Sequence, residues 1–109
     1  MSNENRDPLI VISAGFCDLF NAESAIRALA QAGFADSDLE LIGILTGRIA
    51  NLIGFCQSIG IPFEHALYYQ ACFEDGGALL TVRTRQRSRK QAALALLREH
   101  GGIFPPSIN

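Results

Sequence analysis

The sequence predicts an α+β domain built as a ferredoxin-like plait, and three observations carry the prediction. Short apolar, β-branched runs alternate with stretches of helical periodicity, the connections between them are short, and glycine stands just past the ends of the helical stretches. A chain of 109 residues has room for one domain around one core. Apolar residues make up 49% of it and charged residues 18%, the balance of a chain that folds rather than one that stays disordered.

Leu9 to Phe16 (LIVISAGF) has the length and composition of a buried strand. From Asn21, read as an N-cap, Ala22, Ala25, Ile26, Leu29 and Ala30 recur at helical spacing until Gly33, which suits a left-handed C-terminal cap. Leu39 to Leu45 is the second strand, completing a βαβ crossover. Gly47 to Ser58 places Ile49, Leu52, Ile53 and Cys56 on one helical face. Pro62 suits the first turn of a third helix that runs from Phe63 to Glu74 and breaks at Asp75-Gly76-Gly77. Ala78 to Thr84 is the third strand, with Leu80 and Val82 facing one way and Thr81 and Arg83 the other. Ser88 and Gln91 form a capping box that opens the last helix, His100-Gly101-Gly102 closes it, and Ile103-Phe104 is expected to add a short edge strand before Pro105-Pro106 stops further pairing.

The resulting order, β-α-β-αα-β-α-β, is the split βαβ plan with a helical hairpin inserted between strands 2 and 3. The domain is expected over residues 9–104, between a disordered tail at 1–8 and a C-terminal tail at 105–109. The strand runs are apolar on both faces, yet the first and last helices can cover only one face of such a sheet. Either the inserted hairpin folds over the other face or a second subunit packs there, and the expectation is a homodimer.

The N-terminal MSNENRDP lacks a basic segment, and the apolar run that follows is too short for a signal peptide or a membrane span, which places the chain in the cytoplasm with no membrane partner. Cys17, Cys56 and Cys72 are odd in number and widely spaced, fitting neither a disulfide framework nor a zinc site; all three read as reduced, small core residues, and no metal is expected. No glycine pattern matches a phosphate loop or a dinucleotide fingerprint, so no cofactor is expected.

Three segments in order, A-E-x-A-I-x-x-L-x-x-A-G-F in the first helix, G-I-P with Ala-x-Tyr-Tyr in the third, and Gly-Gly-x-Leu-Leu-Thr-Val into the third strand, resemble the bacterial general stress protein family, also called the heat-induced stress protein domain. The resemblance runs from about Phe16 to Leu97. It implies a small stress-associated domain with no assigned reaction and no catalytic residues to carry over. The chain departs from the family in its compact central segment TGRIANLIGFCQSIGIP and in the basic RTRQRSRK after the third strand, where relatives tend to be acidic.

Two groups of residues stand out as candidate sites. Arg83, Arg85, Arg87, Arg89 and Lys90 place five cations in eight residues of a chain with a net charge of -2. Cations at a helix start oppose its dipole at a cost of roughly 0.3–1 kcal/mol each, so the turn reads as a site for an anionic ligand such as phosphate or a nucleotide. The plainer reading is a solvated basic turn paired with surface carboxylates. Nucleic acid is not expected, because no aromatic residue interleaves the arginines. His65, Tyr69 and Cys72 share one face of the third helix with Tyr68 beside them, the lip of a small pocket or simply an aromatic face packed on the sheet. No nucleophile stands beside a base in the sequence. The expected function is therefore a non-enzymatic regulatory or protein-interaction domain, with a sensor of a small anionic ligand as the alternative.

Overall fold

The computed structural model describes residues 8–43, 52–58, 60–74 and 76–104. In chain order its elements are β1 (Ile10–Phe16), α1 (Leu19–Gln31), a single 3-10 turn (Asp36–Asp38), β2 (Leu39–Gly43), α2 (Leu52–Ser58), α3 (Phe63–Glu74), β3 (Ala78–Thr84) and α4 (Arg87–Glu99). Both tails, the end of the expected second strand, and the expected helical start at Gly47 lie outside the described residues.

β3 is the middle strand. It pairs antiparallel with β1 along its whole length, Ile10 opposite Thr84 and Phe16 opposite Ala78. On its other side it pairs antiparallel with β2, Leu39 opposite Val82 and Gly43 opposite Ala78, so the order is β1-β3-β2. The fold is α+β, a three-stranded antiparallel sheet with four helices among the described residues.

The fourth strand expected at Ile103-Phe104 is reduced to one bridge: Gly15 and Ile103 exchange both of their main-chain hydrogen bonds, at 2.9 and 2.8 Å. Extending that antiparallel register by two residues would set Pro105 opposite Ser13. Proline has no N–H to give, so that position offers no donor for a second rung.

Local signals place the helix ends. The cap of α1 lies three residues before the expected one: Asp18, not Asn21, is its N-cap, with Oδ1 accepting the Phe20 N–H at 2.8 Å. At the other end the Gly33 N–H reaches the Ala30 carbonyl and the Phe34 N–H reaches the Leu29 carbonyl, both at 3.1 Å, with Gly33 at φ 101°. This Schellman closure needs a left-handed residue, which glycine supplies without steric cost. α4 ends in the same hydrogen-bond pair through Gly101 and Gly102. It begins earlier than expected, with Gln86 as N-cap and Ser88 inside the first turn, so the Ser88–Gln91 capping box does not form. The Thr84 hydroxyl accepts the Gln86 N–H at 3.2 Å and sets the entry of the chain two residues upstream of Ser88.

The two faces of the sheet bury different chemistry. Ile12, Ala14 and Phe16 of β1 join Leu80 and Val82 of β3 against Ala22, Ala25 and Leu29 of α1 and Ala93 and Leu97 of α4, a dry core that Phe34 completes. The alternation expected for Leu80 and Val82 against Thr81 is the one observed. On the opposite face Ile42 and Leu79 pack with Cys56 of α2 and with Ala66 and Tyr69 of α3. Of the two ways to cover that face, the molecule uses its own helical hairpin. Two polar contacts stand beneath it: the Ser13 and Thr81 hydroxyls lie 3.1 Å apart, buried, and the Tyr69 hydroxyl donates to the Ser13 main-chain carbonyl at 2.8 Å.

That last bond gives a test of how the hairpin is held. Tyr69→Phe keeps the ring in the core and leaves the Ser13 carbonyl without its donor, a change expected to cost about 1–3 kcal/mol. Urea unfolding followed by circular dichroism measures it, and an unchanged midpoint would show that the hydroxyl does not pin α3.

Candidate functional site

Where a fourth strand would continue, the outer edge of β1 opens into a cleft of about 420 Å³. Its floor is Val11, Ile12 and Ser13. One wall is α4, which presents Lys90, Leu94 and Arg98 at positions i, i+4 and i+8, a single row spanning about 12 Å of helix. The other wall is the turn Gly60-Ile61-Pro62 together with His65 and Tyr69 of α3, and Phe104 closes one end. The wall at the turn is fixed by main-chain bonds: the Ile61 N–H donates to the Cys56 carbonyl at 2.8 Å, and Pro62 accepts the Ala66 N–H at 3.0 Å as α3 begins. Arg98 lies over the Phe104 ring, its guanidinium carbon 5.3 Å from the centroid, a cation–π contact that orients both side chains.

The charge in this cleft is of one sign. Its charged lining residues are Lys90 and Arg98, and no Asp or Glu is among its described lining residues. Apolar surface from Val11, Ile61, Leu94 and Phe104 fills the space between them. The arrangement suits a small molecule with an anionic head and an apolar body.

The five cations of the basic turn do not form one cradle. Arg83 pairs with Glu40 across β3 and β2 at 3.1 Å, both side chains about three-quarters buried. Arg89 lies over the Phe34 ring with its guanidinium carbon 4.3 Å from the centroid. Its Nη2 sits where a side chain on Gly33 would have to go, 3.3 Å from an added Cβ. Arg83, Arg85 and Arg89 do share a shallow polar depression of about 270 Å³ with Gln86 and Asp38. Arg87 is exposed and lines neither space, and Lys90 belongs to the cleft instead.

Of the pocket residues read from α3, His65 and Tyr69 line the cleft, while Tyr68 packs edge-on against Tyr69 at 6.0 Å beside the second core cluster. Cys72 falls within the α3 range and its side chain lies outside the described residues. The structure thus joins members of the two predicted groups, His65 and Tyr69 with Lys90. It adds Arg98, Leu94, Ile61 and Phe104, which sequence reasoning did not single out. The spacing of Lys90, Leu94 and Arg98 was available as a signal; nothing in the sequence brings Phe104 to the same place.

Among the described residues no three His, Cys, Asp or Glu side chains gather as a metal site, and no helix is long and apolar enough to cross a membrane. The two described thiols differ in exposure. Burial pushes the Cys56 thiol up from its ordinary pKa, which suppresses the nucleophilic thiolate, whereas Cys17, expected in the core, is exposed just past the end of β1. Iodoacetamide is expected to alkylate Cys17 in the folded protein and Cys56 only after denaturation. Peptide mass mapping reads this out, and rapid native labelling of Cys56 would contradict its burial.

No family model, curated protein or solved structure matches this chain.

Proposed function

We propose that the chain is a non-catalytic, cytoplasmic binding domain that recognises a small anionic ligand in the cleft beside β1. The observation that carries this reading is the charge of the cleft: Lys90 and Arg98 beside the apolar surface of Val11, Leu94 and Ile61 with no described carboxylate, in a chain whose net charge is negative. The site expected at the basic turn moves with it. Arg83 and Arg89 already have partners in Glu40 and Phe34, so the turn contributes Lys90 rather than a separate cradle. The scaffold we infer is a ferredoxin-like plait whose fourth strand has shrunk to the Ile103 bridge, because the order β1-β3-β2 with Ile103 beside β1 is the plait order. The resemblance to the bacterial general stress proteins makes a stress-associated regulatory role the reading we favour for the ligand's effect.

Differential scanning fluorimetry of the full chain with acetate, hexanoate, phosphate and nucleotides tests the site. An anion that fills it raises the melting temperature in proportion to the logarithm of its concentration, and Lys90→Ala with Arg98→Ala abolishes the shift. No shift with any of these anions would remove the proposal.

A homodimer is the second part of this reading. Its support is the outer row of α3, where Phe63 and Leu67, at i and i+4, are 49% and 46% exposed. A second copy would meet this row rather than the sheet face, which the hairpin already covers. Light scattering on a size-exclusion column is expected to give twice the 11.8 kDa chain mass, and a monomer at high concentration would rule the dimer out.

A further inference from the structure

We propose that the ligand of the cleft is a small N-acylated amino acid, bound as a surrogate for the missing fourth strand. The inference rests on the reading of the cleft as an anion site and supplies the body that goes with the charge. Gly15 spends both its N–H and its carbonyl on Ile103. By the alternation of an antiparallel ladder, residues 11 and 13 therefore also turn their main-chain groups away from β3 and toward the open edge. At Ser13 the carbonyl is taken by the Tyr69 hydroxyl. Among the described residues the edge at Val11 faces the cleft, and the group that complements an open strand edge is another amide.

Three features restrict that amide to a small molecule. The Tyr69 bond interrupts the edge after one residue, so a long peptide has no continuous ladder to join. The volume, about 420 Å³, is near the lower end of ligand cavities. Lastly, α4 runs antiparallel to β3 and hence alongside β1 in the same direction, which sets Lys90 toward the Val11 end of the cleft and Arg98 toward Phe104. A carboxylate one carbon removed from the nitrogen of an amide that meets Val11 is placed toward Lys90, while the amino-acid side chain is placed toward Leu94, Ile61 and Phe104.

The test is a titration of the uniformly ¹⁵N-labelled full chain, followed by two-dimensional NMR, with three probes: N-acetyl-leucine, its ester analogue with oxygen in place of the amide N–H, and N-acetyl-leucinamide without the carboxylate. N-acetyl-leucine is expected to shift the Val11 and Ser13 amide signals and to bind about tenfold more tightly than either of the others. Lys90→Gln is expected to cost about the same factor for N-acetyl-leucine and nothing for N-acetyl-leucinamide. If the ester binds as well as the amide, the acyl amino acid is overturned and the anion site stands. If none of the probes, nor acetate, moves a cleft signal, both readings fall. Should Lys90→Gln unfold the chain, the comparison of N-acetyl-leucine with N-acetyl-leucinamide on the native protein decides the charge on its own.

Discussion

The outer edge of β1 carries main-chain groups that a three-stranded sheet cannot satisfy, and much of the molecule is arranged around how they are met. A buried, unpaired carbonyl costs about 1–3 kcal/mol, comparable with the burial of a whole aliphatic side chain. Gly15 meets the demand through Ile103, and Ser13 meets it through Tyr69. The second solution has the larger consequence, because it ties a strand to a helix fifty-six positions away and fixes the hairpin over the sheet. An exposed strand edge is also a route to unwanted pairing between chains. A side-chain hydroxyl seated on the edge takes the Ser13 carbonyl out of that route.

The basic turn has a structural explanation that its charge alone conceals. A cation at a helix start costs roughly 0.3–1 kcal/mol against the dipole, while a cation over an aromatic face returns about 0.5–2 kcal/mol. Arg89 stands at the start of α4 but over Phe34, and beside the glycine that ends α1, so the second effect is at least as large as the first. Arg83 is answered by Glu40 on the neighbouring strand. Two cations of the five are thus part of the scaffold. Lys90, one residue beyond Arg89 on the helix, points about 100° away from it and into a different space.

Those assignments mark where the sequence was legible. The three strands, the glycine that ends α1, and the proline ahead of α3 were readable because each is a local signal, a period or a residue with restricted φ. β3 in particular runs over the predicted residues, Ala78 to Thr84, with the predicted alternation. The starts of α1 and α4 were misplaced because several polar residues lie near each end, and tertiary contacts chose among equivalent caps: Asp18 over Asn21, and an entry set by Thr84 over Ser88. The cleft was only half legible. His65 and Tyr69 share a helix face and Lys90 sits in a charge run, but nothing local relates the two. What relates them is β1, which lies between α3 on one face of the sheet and α4 on the other and is the one strand on whose open edge both helices converge.

The same convergence decides what the cleft can transmit. Its walls belong to elements packed on opposite faces of the sheet: α4 is part of the dry core, whereas α3 packs on the other face with the Tyr69 bond and the cluster around Ile42 and Leu79, and the Ile61 turn leads into it. A molecule seated on Val11 with one side against Leu94 and the other against Ile61 bridges these two halves. Its binding energy then adds to the docking of the hairpin, since only the docked hairpin completes the site. On the proposed reading, occupancy of the cleft would favour the docked position of α3, and α3 carries the exposed Phe63 and Leu67. On the same reading, a ligand that replaces a missing strand would act on the apolar row offered to a second copy, and recognition of a small anion would be linked to assembly.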